Sequence, residues 1–280
     1  MMLAIRNLSI AFPGPDGPVR VVDDVSVAVQ RGESLGIVGE SGSGKSMLSL
    51  ATIGLLPKSA RAAGEILLEG RDILAASERE LRGIRGRRIG MIFQEPMTAL
   101  NPAMTAGQQI AEGIRLHRAV GRAEARAEAL RLLDRVRIPD PARRIDSYPH
   151  EMSGGQRQRV GIAIALALKP DLLIADEPTT ALDVTVQKEI LDILDELVAD
   201  LGLSLILISH DLGVIARSTD RTLVMCRGRA VEEGPTEAVL RRPTAQYTRD
   251  LIAALPRRAR AGLGGETAGG EPRRVAGGGR

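Results

Sequence analysis

The stretch Gly39-Glu40-Ser41-Gly42-Ser43-Gly44-Lys45-Ser46 fits the spacing GxxxxGK[ST] and constrains the fold of the whole chain. It follows the apolar run Leu35 to Val38 and opens a helix, and Gly39 through Met47 are the candidate nucleotide contacts. A strand, a glycine-rich turn and a helix in that order aim free backbone N–H groups at phosphates. On this spacing Lys45 is placed to reach the β- and γ-phosphates of ATP, and the Ser46 hydroxyl to ligate Mg²⁺. A flexible Gly/Ser turn is the alternative for this segment alone. The motifs downstream argue against it.

The strand Leu172-Leu173-Ile174-Ala175 ends in Asp176-Glu177. A strand apolar throughout belongs in a parallel sheet buried on both faces, and active sites sit at the carboxyl ends of such strands. Asp176 is placed to hold Mg²⁺ through water, and Glu177 to polarise the water that attacks a γ-phosphate. Further upstream, Ser153-Gly154-Gly155-Gln156 precedes a helical stretch. Serine and consecutive glycines at a helix N-terminus make an anion site, or simply an N-cap. One chain then has more anion sites than one nucleotide needs, as expected if the serine segment closes on a nucleotide held by a partner.

Elsewhere the pattern alternates. Strands are expected at Ala4 to Ile10, Val25 to Val29, Leu35 to Val38, Gly64 to Gly70, Arg88 to Phe93, Leu172 to Ala175 and Ser204 to Ser209. Helices are expected across Met104 to Arg143 and over Val160 to Leu168 and Val184 to Asp200. A hairpin around Gly228, from Thr222 to Glu233, and two short helices near Thr236 to Arg241 and Tyr247 to Ala254 close the globular part. The expected fold is α/β: a P-loop core with a mostly parallel sheet, an antiparallel β subdomain and an inserted all-helical subdomain at about 95–159. Residues 1–256 would form one nucleotide-binding domain, and the Gly- and Arg-rich residues 257–280 a disordered tail.

The net charge of +3 hints at nucleic acid, yet six arginines and two glutamates from Arg257 onward carry +4, leaving −1 for residues 1–256. The aromatic residues are Phe12, Phe93, Tyr148 and Tyr247, too few for base-stacking platforms, so no nucleic-acid partner is expected. Cys226, the single cysteine, excludes an internal disulfide and a cysteine metal cluster. The N-terminal residues carry no apolar signal region and no run approaches membrane-spanning length, so the chain is expected to stay in the cytoplasm.

Taken together, these segments resemble the nucleotide-binding subunit of ABC transporters over residues 3–255. Gly39 to Ser46 is similar to the Walker A motif, Gln94 after Met91-Ile92-Phe93 to the Q-loop, and Ser153 to Gln156 to the signature. Asp176 and Glu177 resemble the Walker B pair, Ala181-Leu182-Asp183 the D-loop, and His210 the switch histidine. Met152 stands where the family usually has leucine, a packing change.

The resemblance implies two such domains facing head to tail with two ATP molecules between them, Ser153 and Gly155 touching the γ-phosphate held by the partner. It implies that Gln94 senses Mg²⁺ and the attacking water, that His210 holds the γ-phosphate and orients Glu177, and that an aromatic ring, here Phe12, lies against adenine. Gln94 to Pro102, Tyr148 to Glu151 and Tyr247 to Pro256 are similar to segments of dipeptide, oligopeptide and nickel uptake ATPases, although Ala245-Gln246 replaces the usual His-Pro. That likeness implies an importer subunit at the cytoplasmic face of the membrane. Its partners would be two permeases, an extracytoplasmic solute-binding protein and a second ATP-binding subunit. A ribosome- or DNA-associated ATPase of the same superfamily is the alternative; those commonly carry two cassettes or long coiled coils, and no sustained heptads occur here.

Overall fold

The structure is a computed structural model that describes residues 1–94, 99–180 and 182–255. Glu95 to Thr98, Ala181 and the expected tail at 257–280 lie outside the described residues.

Two sheets share one hydrophobic cluster, and the larger also faces a second. In the six-stranded sheet the order is β10-β9-β3-β8-β7-β6. Here β3 is Ser34–Val38, β6 Ile89–Ile92, β7 Leu172–Asp176, β8 Ser204–Ile208, β9 Arg221–Cys226 and β10 Arg229–Pro235. All its pairings are parallel except the β9–β10 hairpin. Successive residues of a strand point to opposite faces. Leu172 and Ile174 of β7 therefore enter one hydrophobic cluster with Ile206 and Ile208 of β8. Leu173 and Ala175 enter the other, with Leu205 and Leu207. Burial on both faces explains why these strands are apolar throughout.

The second sheet, β2-β1-β4-β5, is antiparallel. It consists of β1 Leu3–Phe12, β2 Val19–Val29, β4 Arg61–Leu68 and β5 Arg71–Asp72. Its inner residues Leu3, Ile5, Leu8, Ile10, Val22 and Val25 share a cluster with Leu48 of α1, Lys45–Thr52. Strand β2 begins six residues before the expected Val25, because the ladder to β1 runs on to Phe12↔Val19 through register shifts that break simple alternation.

Between β6 and β7 the described chain is helical: α3 Ala106–His117, α4 Arg122–Arg135, the short α5 Pro141–Arg144 and α6 Gly154–Leu166. The remaining helices are α2 Glu78–Ile84, α7 Val184–Leu201, α8 Leu212–Ser218, α9 Thr236–Arg241 and α10 Gln246–Ala253. Helix α6 starts at Gly154 rather than Val160. Ser153 caps it, and the capping box with Gln156 is reciprocal. Among the described residues no helix is long and apolar enough to cross a membrane.

Candidate active site

Four parallel strands place the site. The register pairs Ile37 with Ile208, Ile208 with Asp176, and Ala175 with Ile92. The carboxyl ends of β3, β8, β7 and β6 therefore share one sheet edge. From that edge emerge the Gly39–Gly44 turn, His210, Glu177 and Gln94, in that order across the sheet.

The turn needs its glycines. Gly44 has φ +100, and a Cβ there would come within 2.4 Å of the Val21 carbonyl oxygen. Gly39 has φ +154, and its Cβ would meet the Met225 carbonyl oxygen at 2.2 Å. Within the turn Ser43 is buried, whereas Glu40, Ser41 and Gly42 are exposed. The buried Lys45 ammonium donates to the Gly39 and Glu40 carbonyl oxygens at 2.8 and 2.9 Å, and to Ser43 Oγ at 3.4 Å. Burial holds this ammonium below the usual lysine range, against the raising charges of Glu177 and Asp176.

Asp176, 4% exposed, faces the first turn of α1. Its Oδ2 accepts from Ser49 Oγ at 3.3 Å. Burial pushes this carboxyl up, and the hydrogen bond from Ser46 opposes the rise. Asp176 Oδ1 is buried with no hydrogen-bond partner among the described residues.

Glu177 adopts a left-handed backbone, φ 47, unusual for a side chain with a Cβ. Its amide continues the sheet ladder by donating to the Ile208 carbonyl at 2.9 Å, so the strain is held by hydrogen bonding. The carboxylate then becomes a hub. Gln94 Nε2 donates to Oε2 at 3.2 Å and Thr180 Oγ1 at 2.8 Å, and His210 Nδ1 lies 3.3 Å from the same oxygen. The last contact is a hydrogen bond when Nδ1 carries a proton.

The remaining expected residues are dispersed around this centre. Ser153 is exposed at the start of α6, its Oγ accepting from Gln156 N at 3.3 Å, and Gly154 and Gly155 form the first helical turn. Among the described residues no hydrogen bond joins this segment to the phosphate loop. Asp183 caps α7, Oδ1 accepting from Val186 N at 3.0 Å. Phe12 is half-buried at the end of β1, packed against the cluster that holds Leu48 of α1. Ser49 and Thr180 were not anticipated. Ser49 lies one turn beyond Ser46 on the same helix face, a spacing the sequence carries. Thr180 reaches Glu177 only because its amide closes a turn onto the Glu177 carbonyl.

A phosphate loop at the carboxyl edge of a mostly parallel sheet, with two carboxylates at the end of the strand one beyond its neighbour, defines a P-loop ATPase. The family model for ABC transporters matches residues 22–180. A probable peptide ABC transporter ATP-binding protein of Sinorhizobium fredii is 50% identical over 93% of this chain and 78% of its own. The oligopeptide transport ATP-binding protein OppD of Salmonella typhimurium is 48% identical over 92% of this chain and 77% of its own. Among solved structures, the dimeric post-hydrolysis state of the ATP-binding cassette MJ0796 bound to ADP and Pi superposes with a TM-score of 0.75 at 28% identity. It covers 84% of this chain and 99% of that one. The chain belongs to the ABC transporter family, as an ATP-binding ATPase.

Proposed function

We propose that this chain is the ATP-hydrolysing subunit of a peptide importer, working at the cytoplasmic face of the membrane in a head-to-tail pair of ATP-binding subunits. Two permeases and an extracytoplasmic solute-binding protein complete the assembly. The observation that carries the catalytic part is the meeting of Gln94, Thr180 and His210 on one oxygen of Glu177, beside Asp176 and the phosphate loop. The names of the relatives support peptides as the solute.

The site fits Mg²⁺. Among the described residues no cluster of three or more His, Cys, Asp or Glu is built to hold a metal. Mg²⁺ instead favours one or two protein oxygens plus substrate phosphates. The buried, unpartnered Asp176 Oδ1, with the Ser46 hydroxyl at the start of α1, supplies such a set, and Gln94 stands close by through Glu177. Bound there, Mg²⁺ would neutralise charge on the β- and γ-phosphate oxygens.

The chain's own groups do the rest. Lys45 exchanges its carbonyl acceptors for phosphate oxygens, which Gly39 to Met47 cradle. Phe12 lies toward the adenine. Glu177 orients and polarises the attacking water, and Gln94, Thr180 and His210 fix its carboxylate in that task. Ser153, Gly154, Gly155 and Gln156 present a helix N-terminus to the γ-phosphate bound by the partner subunit, and Asp183 lies near that junction.

Affinity capture of the tagged chain from detergent-solubilised host membranes tests the assembly. Recovery of two polytopic permeases is expected. Recovery of ribosomal or DNA-associated proteins alone would contradict the transport reading.

A further inference from the structure

The segment beginning at Tyr247 takes no part in the chemistry above, yet it touches the phosphate loop. Glu40 N donates to the Tyr247 hydroxyl at 3.2 Å. That N–H and the Gly39 carbonyl belong to one peptide plane. Lys45 Nζ donates to the carbonyl at 2.8 Å, so the plane is gripped on both edges. When Lys45 turns to phosphate, the carbonyl edge loses its donor. Tyr247 remains.

Tyr247 is itself held. Helix α10 has no side-chain cap of its own at Ala245. Glu232 of β10 serves instead, accepting from Thr244 N at 2.7 Å, Thr244 Oγ1 at 2.9 Å and Ala245 N at 3.1 Å. The carboxylate also complements the positive end of the helix. The ring packs against the cluster that contains Val38, the last residue of β3 before the loop. The other limb of the loop is tied separately, Gly228 N donating to the Ser43 carbonyl at 3.1 Å.

We infer that Tyr247 is a positioning residue for nucleotide binding. It fixes the Gly39–Glu40 peptide plane while Lys45 is engaged with phosphate, and Glu232 sets its position through α10. The inference rests on reading residues 39–46 as the ATP site.

The test uses the full chain, its Tyr247→Phe and Glu232→Ala variants and the double variant. MgATP affinity is measured by fluorescent-nucleotide competition and turnover by phosphate release. Tyr247→Phe keeps the ring and removes only the hydroxyl. Its Kd and KM for MgATP should rise about two- to tenfold, the effect of losing one hydrogen bond of ordinary net strength, while kcat stays close to the parent's. Glu40 amide exchange should quicken. Glu232→Ala should weaken binding in the same direction, and the double variant should be no weaker than the weaker single one, as coupled residues require. A parental Kd and KM in Tyr247→Phe, or a loss confined to kcat, would overturn the positioning role while leaving the ATP site standing. Failure of the parent chain to bind MgATP would overturn both.

Discussion

His210 Nδ1 lies 3.3 Å from Glu177 Oε2, with the histidine side chain 63% exposed and the glutamate 14%. A solvent-facing ring thus meets a carboxylate fixed by β7 and by its left-handed backbone. The glutamate belongs to the scaffold, and the histidine is the partner free to respond to a bound phosphate.

Replacing His210 by Ala should therefore spare the fold and lower turnover. If His210 orients the base and meets the developing charge as proposed, its loss should reduce kcat by about a hundredfold or more. MgATP affinity should change little. Phosphate release and nucleotide titration on one preparation separate the two effects.

Ser153 caps α6 and, in the proposed head-to-tail pair, faces the partner's γ-phosphate; substitution can separate the two. As an N-cap it contributes about 1 kcal/mol to the fold, which Ser153→Ala loses. Ser153→Asp retains a capping oxygen but points a carboxylate at the partner's γ-phosphate. It should melt like the parent, bind MgATP as a monomer and fail to turn over. Normal turnover in Ser153→Asp would contradict the head-to-tail arrangement.

Gly44→Ala should cost stability as well as binding. The left-handed backbone and the 2.4 Å approach to the Val21 carbonyl leave no room for a methyl group. About 1–3 kcal/mol of strain is expected, read as a lower denaturant midpoint together with loss of nucleotide affinity.

One pH dependence follows from Glu80, held at about 2 by hydrogen bonds from the Ser77 hydroxyl, then its amide, and by Arg71. Its folded pKa lies below the ordinary value of 4.5, so the charged form favours the folded state. That contribution is complete above pH 4.5 and is lost as pH falls toward 2. Glu80→Gln should melt below the parent at neutral pH, and the gap should close through that window in a calorimetric series.

Much of this was legible in the sequence because the parallel strands are buried on both faces. Leu172 to Ala175 and Leu205 to Ile208 have no polar interruption, and the residues that follow them are the site. Less legible were elements defined by pairing rather than by pattern. Strand β2 extends to Val19 on the strength of its partner, with charged and exposed residues along it. Helix α2 was missed although Ser77 and Glu80 form its capping box; the signal was present, but the helix is short. Helix α8, Leu212–Ser218, was missed for the same reason. The Tyr247–Glu40 contact joins residues 207 positions apart, and only the closed fold brings them together.

The most direct test compares the parent chain with Glu177→Gln for MgATP binding and steady-state phosphate release. The amide keeps the shape and the contacts of the side chain but cannot polarise the attacking water. Binding should be retained and turnover abolished. Unchanged hydrolysis in Glu177→Gln would remove Glu177 from the centre of the mechanism and contradict the assignment of the site.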